Sequence, residues 1–289
     1  MTIKEAIIKF SNILESQGFT NPSLDIEVLL CHVLNCDRVD LINNSDYELT
    51  LDQHNKFLEL FLRRQAHEPI AYIINKKEFC SYDFFINKNV LIPRPLTEEL
   101  VDLVFNDIIK NNNDKINIID VGTGSGAIII SIFNKLKRLE NIDIKKYNFY
   151  ASDVSNKALD VAKINAKQYG AIDYIKFLQG NLRFPRGIKF NYIIANLPYL
   201  DKKEIDFNKD ESKDLLYEPK NALFTRGNGI YIIRKFLNKV KNHVDKDGFI
   251  YLEIGNGQLP KIKQYFSNSF NIESFYEDRI VKIDLKSKR

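Results

Sequence analysis

The chain is poor in the residues and segments that mark several protein classes. Its 12 glycines and 8 prolines in 289 residues are too few for a collagen-like or low-complexity protein. The three cysteines, Cys31, Cys36 and Cys80, are an odd number without metal-ligand spacing, so we interpret them as reduced thiols and expect a cytoplasmic protein. No apolar run approaches the roughly 20 residues that span a bilayer. The N-terminus lacks the apolar core of a signal peptide, so we expect a protein that is not secreted.

The composition predicts a folded chain with a buried core. Hydrophobic residues make up 44% and charged residues 28% of the sequence, and the length suits about two domains. The formal net charge is +4. This mildly basic balance permits a nucleic-acid partner without requiring one.

The first third of the chain predicts a small helical bundle. Apolar residues recur at steps of three and four over residues 3–14, and Gly18 follows as a stop signal. A further helix is expected over residues 51–65. Its expected buried residues are Phe57, Leu58, Phe61 and Leu62.

A change of pattern after this bundle predicts a β-hairpin. Residues 71–74 and 79–92 alternate or run apolar, and Asn75, Lys76 and Lys77 between them favour the turn. Residues 93–95, Pro-Arg-Pro, end the hairpin, and Thr97 is expected to cap the next helix.

From residue 116 onward, strand and helix patterns alternate. Strands are expected at residues 116–121, 149–153, 175–178, 192–195 and 249–253, with a late pair at 272–276 and 280–285. Helices are expected between them, for example at 156–169 and 230–243. This alternation predicts an α/β fold with a doubly wound, mostly parallel sheet.

A glycine loop follows the first of these strands and opens a helix. It reads Asp120, Val121, Gly122, Thr123, Gly124, Ser125 and Gly126. Gly122, Gly124 and Ala127 satisfy the loose dinucleotide pattern G-x-G-x-x-G/A. Asp120, however, would repel a pyrophosphate, whereas it suits the ammonium and sulfonium cations of S-adenosylmethionine. A purely structural glycine turn is a third possibility.

The ends of the next two strands supply further candidates for cofactor binding. Asp153 can accept both ribose hydroxyls of an adenosine. Alternatively, Asp153 or Ser155 caps the following helix. Asn181 and Leu182, after the third strand, would offer adenine one polar contact and one apolar face.

The fourth strand runs into Asn196, Leu197, Pro198 and Tyr199. In doubly wound sheets the first and fourth strands are usually neighbours, so this loop should face the glycine loop. An amide nitrogen is a poor nucleophile because its lone pair is delocalised. The Asn196 side-chain oxygen and the Leu197 carbonyl could grip its two N–H groups, orient it and stabilise the developing positive charge. Tyr199 offers a flat face, although the tetrapeptide alone is also typical of an ordinary turn.

These motifs together resemble the class I S-adenosylmethionine-dependent methyltransferases. Within them, the chain is similar over essentially its whole length to the peptide chain release factor N5-glutamine methyltransferases (the HemK/PrmC family). The segments that carry the resemblance are residues 63–69, 72–73, 78–79, 91–98, 120–126 and 217–223, and residues 253–255 with Gln258. The sequence departs from the family pattern in three places: Leu197 stands where proline is usual, Asn181 stands where an acid is usual, and residues 277–280 lack a common glycine.

The resemblance implies a seven-stranded Rossmann-like catalytic domain over residues 96–289. It also implies a helical docking domain over 1–68 and a β-hairpin linker over 69–95. Asn196 and Tyr199 would be catalytic, and residues 196–199 would bind the substrate glutamine. The implied cofactor residues are Asp120, Gly122, Thr123, Gly124, Ser125, Gly126, Asp153, Asn181, Leu182 and Asn196.

The implied substrate is the glutamine of the Gly-Gly-Gln loop of class I release factors. Arg63, Arg64 and Arg94 could dock that partner, although surface arginines are more often solvated or capping charges. We expect a monomer that needs no metal, membrane or obligatory nucleic acid. The four histidines lie far from the motifs in sequence, so the proton is expected to leave to water. The charged segment 201–220 is predicted to be a lid on the substrate side.

Two other functions remain open. The Asn-Leu-Pro-Tyr loop also resembles that of ribosomal RNA adenine dimethyltransferases, because adenine N6 is likewise a planar NH₂ group with a delocalised lone pair. Adenine N6 methylation of rRNA or DNA is therefore the first alternative. Those enzymes usually carry Glu before the glycine loop and place their extra domain last. The second alternative is a non-catalytic binding module, against which the intact Asp120, glycine loop and Asn196 argue.

Overall fold

The computed structural model describes residues 1–111, 113–140, 142–207 and 210–286. The chain divides into two compact units. A helical unit comprises residues 1–76 and 205–217, and a larger unit comprises residues 77–204 and 218–289. The three-part domain division at residues 68 and 95 stays a prediction.

The helical unit contains α1 (Ile3–Ser16), α2 (Pro22–Leu34), α3 (Arg38–Asn43), α4 (Leu51–Gln65), α5 (Ile70–Ile73) and, from its second segment, α9 (Asp210–Lys213). Thr2 with Glu5 and Thr50 with Gln53 form capping boxes at the starts of α1 and α4. Phe10 packs edge-on against Phe57 and Phe61 in the core. Four-residue spacing therefore places Phe57 and Phe61 on one face of α4. The expectation that Leu62 is buried is wrong, since that side chain is 60% exposed.

Arg64 at the end of α4 joins the two segments of the helical unit. Its Nε lies 2.7 Å from Asp25, and its Nη1 lies 2.9 Å from Asp214. The guanidinium also lies over the Phe19 ring, 4.5 Å from the centroid. The Tyr217 hydroxyl donates to the Ala66 carbonyl at 2.6 Å. Asp214 and Tyr217 therefore attach the second segment to the helices, through a charge pair and a hydrogen bond.

The β-hairpin lies later than the sequence pattern predicted. Residues 70–73 form α5, and the hairpin strands are β1 (Lys76–Phe79) and β2 (Tyr82–Phe85). The turn is Cys80 and Ser81, with φ of 51° and 62°. Both are left-handed conformations that usually call for glycine or asparagine. The turn therefore has no sequence signal, whereas Asn75–Lys77 looked like one.

The large unit is built on a seven-stranded sheet, which confirms the predicted fold class. Its strands are β3 (Ile116–Val121), β4 (Tyr147–Asp153), β5 (Ile175–Gln179), β6 (Phe190–Asn196), β7 (Val244–Glu253), β8 (Phe270–Phe275) and β9 (Ile280–Leu285). The spatial order is β5-β4-β3-β6-β7-β9-β8. The first five strands are parallel, whereas β9 is antiparallel to both β7 and β8. The expected neighbours, the first and fourth strands of the alternating region, do pair, as β3 and β6.

The helices of this unit are α6 (Pro95–Ile108), α7 (Ala127–Lys137), α8 (Asn156–Gln168), α10 (Lys220–Leu223), α11 (Tyr231–Val240) and α12 (Leu259–Phe266). Thr97 does not cap α6, because the helix already begins at Pro95. None of the helices in the described ranges is long and apolar enough to cross a membrane.

Candidate active site

A pocket opens at the carboxyl ends of the central parallel strands. The loops that follow β3, β4, β5 and β6 line it, together with residues from segments 89–97 and 219–222 and with Ile232. The predicted site residues among its lining are Gly122, Thr123, Gly124, Ser125, Asp153, Asn181, Leu182, Asn196, Leu197 and Pro198. Asp120, Gly126 and Tyr199 do not belong to this lining. The strand order creates the pocket, because the chain leaves β3 in one direction across the sheet and β6 in the other.

The glycines of the loop after β3 serve two different needs. Gly122 has φ of +80°, and a Cβ there would lie 3.1 Å from Leu197 Cδ2. Gly126 has φ of +81°, and a Cβ there would lie 2.8 Å from the Ile130 Cδ1 and 3.2 Å from the Ala162 Cβ. Gly122 therefore lets the substrate-side loop approach, whereas Gly126 lets α7 pack closely on α8.

Asp153 holds the glycine loop in place. One carboxylate oxygen accepts the Gly124 N–H at 3.0 Å, and the other accepts the Ser155 N–H at 2.9 Å. The cap of α8 is Ser155, whose hydroxyl accepts the Ala158 N–H at 3.2 Å. Burial raises the pKa of Asp153. Asp153 lines the pocket, so its carboxylate is a candidate acceptor for a ligand there. The residue that caps α8 is Ser155.

Asp120 lies beneath the loop and is fully buried. The Thr123 hydroxyl donates to its Oδ2 at 2.7 Å, whereas its Oδ1 has no hydrogen-bond partner among the described residues. Burial, reinforced by the nearby Asp153 charge, raises the pKa of Asp120 to about 7. Such a carboxyl favours a positive charge placed close to it.

The adenine-side candidates differ in exposure. Asn181 is exposed, whereas Leu182 is buried and has φ of +49°. Leucine rarely adopts this left-handed conformation, so the backbone here is strained. The strain places an apolar side chain in the pocket wall.

Tyr199 is fixed by contacts on both its backbone and its ring. Its carbonyl accepts the Gln258 side-chain N–H at 2.8 Å, and its hydroxyl donates to Glu253 Oε1 at 3.0 Å. A Cβ on Gly229 would lie 2.0 Å from the Tyr199 carbonyl oxygen, so only glycine fits there. Burial and the Glu253 charge raise the pKa of Tyr199 to about 12. The ring therefore keeps its proton at neutral pH.

The side-chain amide nitrogen of Asn196 is occupied by two hydrogen bonds within the protein. Nδ2 lies 3.0 Å from Glu253 Oε2 and 3.1 Å from Thr97 Oγ1. None of the hydrogen bonds in the described part of the chain uses its Oδ1. Since Asn196 lines the pocket, this oxygen is the acceptor that the side chain can offer there.

Sequence reasoning gave no role to Glu253 and treated Thr97 only as a helix cap. The position of Glu253 was a signal for such a role, because Glu253 ends a strand expected in the same parallel sheet as the strand of Asn196. In the structure β7 pairs with β6, and Asn196 is the register partner of Glu253.

The three candidate docking arginines all make ion pairs within the chain. Arg63 pairs with Glu68 at 2.7 Å, and Arg64 makes the contacts described above. Arg94 pairs with the buried Glu218, whose second oxygen accepts the Ile92 N–H at 3.1 Å. In the ranges that the structure covers, no group of three His, Cys, Asp or Glu side chains is placed to hold a metal ion.

Two family models match the chain. Residues 5–74 match the PrmC N-terminal domain, and residues 104–250 match the RMKL-like methyltransferase domain. The chain is 35% identical over 275 residues to the release factor glutamine methyltransferase of Buchnera aphidicola subsp. Schizaphis graminum, covering 94% of this chain and 92% of the relative.

Longer relatives and a distant structure complete the comparison. The chain is 35% identical over 301 residues to the bifunctional methyltransferase of Rickettsia conorii, where it covers 96% of itself but spans only 56% of that relative. Among solved structures, the hMettl16 catalytic domain in complex with the MAT2A 3′UTR hairpin 1 has a TM-score of 0.51 at 13% identity, covering 84% of this chain and 83% of that one. At this identity the likeness concerns the fold alone.

Proposed function

Because the chain belongs to the release factor glutamine methyltransferase family, we propose that it methylates the side-chain nitrogen of the glutamine in the Gly-Gly-Gln loop of peptide chain release factors. The observation that carries this proposal is the orientation of Asn196. Its nitrogen is held by Glu253 and Thr97, and its oxygen is left for the pocket. An acceptor fixed in this way suits a substrate that presents an NH₂ group.

The pocket residues fit S-adenosylmethionine, which supplies an electrophilic methyl group on a sulfonium. The Asp153 carboxylate is an acceptor of the kind that ribose hydroxyls need, and Leu182 supplies an apolar surface for adenine. The buried Asp120, with one unpartnered oxygen, suits the positive charge of the methionine end. Both oxygens of Asp153 already accept backbone N–H groups, and each retains a further lone pair.

The substrate amide would be bound by the loop after β6. Asn196 Oδ1 and the Leu197 carbonyl would each accept one N–H of the glutamine, which aims the nitrogen lone pair at the methyl group. As the nitrogen becomes positive, both hydrogen bonds strengthen, so they stabilise the transition state more than the bound substrate. Tyr199 would pack against the planar amide. The proton then leaves to water.

We assign release-factor docking to residues 1–68. Supporting this, the helical unit exposes large apolar side chains: Val39 at 62%, Ile42 at 73%, Leu51 at 75% and Leu62 at 60%. Where such side chains adjoin, exposed apolar surface is typical of protein interaction sites. A release-factor substrate also implies activity in the cytoplasm, and we expect a monomer that needs no nucleic acid.

The test is single-turnover methyl transfer to purified release factor, with the modified residue located by mass spectrometry. We expect Asn196→Ala to bind S-adenosylmethionine nearly normally and to react about 10²–10³-fold more slowly, the usual cost of one lost donor or acceptor in a closed site. Asn271→Ala, on the edge strand β8, is the control and should react at the wild-type rate.

Two outcomes would contradict the proposal. A near wild-type rate for Asn196→Ala would remove the role of this loop. Methyl transfer to ribosomal RNA or DNA instead of release factor would identify a nucleic-acid base methyltransferase, and transfer to none of these would indicate a binding module.

The lid over residues 201–220 stays a prediction, and its residues 208 and 209 lie outside the described residues. The described part contains a short 3-10 helix (Lys202–Glu204), α9 and a second 3-10 helix (Asp214–Leu216). Protease sensitivity of this segment should fall when release factor is added. An unchanged cleavage rate would contradict the lid.

A further inference from the structure

Glu253 is a buried carboxylate that accepts hydrogen bonds from three side chains around the substrate loop. It ends β7, is only 1% exposed, and is the register partner of Asn196 on β6. Oε2 accepts the Thr97 hydroxyl at 2.6 Å and the Asn196 amide at 3.0 Å. Oε1 accepts the Tyr199 hydroxyl at 3.0 Å. No other described residue contacts both Asn196 and Tyr199 through side-chain hydrogen bonds.

The chemistry of these partners fixes the orientation of the asparagine. Both oxygens of Glu253 accept hydrogen bonds from hydroxyl groups and so act as acceptors in this site, and Nδ2 is the only donor of an asparagine side chain. Thr97 gives its hydroxyl hydrogen to Glu253, so its lone pairs also face Nδ2. A flipped amide would place Oδ1 3.0 Å from a carboxylate oxygen. The nitrogen must therefore point at Glu253, and the oxygen at the pocket.

We propose that Glu253 is a positioning residue that holds Asn196 with its oxygen toward the substrate and so makes asparagine, and not aspartate, the functional residue at position 196. This inference rests on the proposed function, because it assumes that the oxygen accepts a substrate N–H. It assigns Glu253 no contact with the substrate.

An aspartate at 196 would create a pair of carboxylates in one buried site. One of its oxygens would take the place of Nδ2, about 3 Å from Glu253 Oε2. Two carboxylates this close cannot both ionise, so one keeps a proton. The other groups facing Glu253 are the hydroxyls of Thr97 and Tyr199, and the positive charges of Arg94 and Arg279 act on it. Arg94 is already paired with Glu218, and the Arg279 Nε bonds the Ile254 carbonyl at 2.8 Å. Neither arginine makes a direct ion pair with Glu253 among the described residues.

The test is a cycle of four proteins: wild type, Asn196→Asp, Glu253→Gln and the double variant. Asn196→Asp should methylate release factor at least about tenfold more slowly at pH 8.5 than at pH 6.5 after correction for the wild-type profile, because raising the pH removes the proton that the two carboxylates share and leaves two repelling charges. At pH 8.5 the double variant should react at least about tenfold faster than Asn196→Asp. The glutamine Nε2 at position 253 can donate to the carboxylate introduced at position 196, and the second negative charge is gone. Both effects should appear in kcat, with the affinity for S-adenosylmethionine unchanged.

The rescue distinguishes positioning from a merely structural role. If Glu253 only supported the fold, the second substitution would add its own loss, and the double variant would be slower than either single variant. That result, or a rate of Asn196→Asp that follows the wild-type pH profile, would overturn the inference. Glu273→Gln, exposed on β8, is the charge control and should leave all rates unchanged.

The melting temperature of the four proteins, measured at pH 6.5 and pH 8.5 without substrate, separates this inference from the proposed function. Asn196→Asp should lose stability on raising the pH, and Glu253→Gln should remove that loss. If the wild type methylates no release factor while this stability pattern holds, the proposed function fails and the pairing of residues 196 and 253 stands. If the wild type is active but the pattern is absent, the positioning inference fails alone.

Discussion

Leu197 packs directly over Gly122, with its Cδ2 3.1 Å from the position of a Cβ on that glycine. The loop expected to bind substrate therefore comes so close to the loop expected to bind cofactor that a Cβ on Gly122 would be crowded. A side chain on Gly122 would push the two loops apart. It would also have to adopt φ of +80°.

We predict that Gly122→Ala weakens S-adenosylmethionine binding at least about tenfold, because the left-handed backbone alone costs about 1–2 kcal/mol for an alanine and the Leu197 contact adds to it. Calorimetric titration measures the affinity. Gly187→Ala is the matched control, since Gly187 has φ of +74° and open space around its Cβ position. Gly187→Ala should lower the free energy of unfolding by a similar amount, because its backbone is also left-handed, and should leave the affinity for S-adenosylmethionine unchanged. Equal affinities for the two variants would contradict the prediction.

Asp153→Ala should weaken S-adenosylmethionine binding by about 1–3 kcal/mol, the usual range for hydrogen bonds to a charged group. The carboxylate also holds the Gly124 N–H, so the loop loses an anchor as well as a ribose acceptor. Ser155→Ala removes the helix cap instead and should cost about 1 kcal/mol of unfolding free energy. Calorimetry and urea denaturation on both variants separate the two effects. An unchanged affinity in a folded Asp153→Ala protein would leave Asp153 with a structural role only.

Asp120 should make the protein less stable as the pH rises. Its pKa of about 7 in the folded protein lies above the ordinary value of 3.8, so the folded state holds a proton that the unfolded state releases. The free energy of unfolding should therefore fall between about pH 4 and pH 7 and stay lower above that range. Asp120→Asn should reduce the fall, although the raised pKa values of Asp153 and Glu253 contribute in the same direction.

Urea denaturation at pH 5 and pH 8 measures this difference. Asp247→Asn, with a side chain 79% exposed, is the control and should keep the wild-type pH dependence. The prediction is wrong if Asp120→Asn and the control lose the same free energy between the two pH values.

Arg64→Ala should destabilise the helical unit strongly. The guanidinium is 10% exposed and pairs with Asp25 and Asp214, and removing one member of a buried ion pair typically costs about 3–5 kcal/mol. The neighbouring Arg63, 37% exposed and paired only with Glu68, is the control, and Arg63→Ala should cost about 1 kcal/mol or less. Urea denaturation gives both values. In addition, residues 205–217 should be cleaved faster by protease in Arg64→Ala, and equal cleavage of the two variants would argue against this anchor.

The strands, and the neighbour relation of β3 and β6, could be predicted from the sequence because buried parallel strands are short apolar runs between helical patterns. The expected strands at 116–121 and 280–285 coincide with β3 and β9, and the others differ by a few residues at their ends. The hairpin was misplaced because Cys80 and Ser81 adopt left-handed conformations that their residue types do not signal. Leu62 was assigned to the core on apolar character alone, although it lies one position past the face that Phe57 and Phe61 define.

The site was predictable where one short segment carries the chemistry and less so where distant residues meet. The glycine loop and the Asn196–Tyr199 tetrapeptide are local motifs, and most of their residues line the pocket. The role of Glu253 depends on the neighbour relation of β6 and β7 and on a threonine 156 residues away along the chain. Similarly, the pairing of Arg64 with Asp214 spans 150 residues, so a periodic pattern could not reveal it.

The discontinuity of the helical unit limits how this protein can be rearranged during evolution. A recombination event that replaced only residues 1–76 would remove Arg64 and leave Asp214 without its partner, and Tyr217 would face a foreign backbone. The second segment lies between Tyr199 and Glu218, both of which belong to the larger unit. If the helical unit docks the partner as proposed, a change of docking specificity is expected to arise by point substitution on the exposed faces of the helices, and not by exchange of residues 1–76 alone.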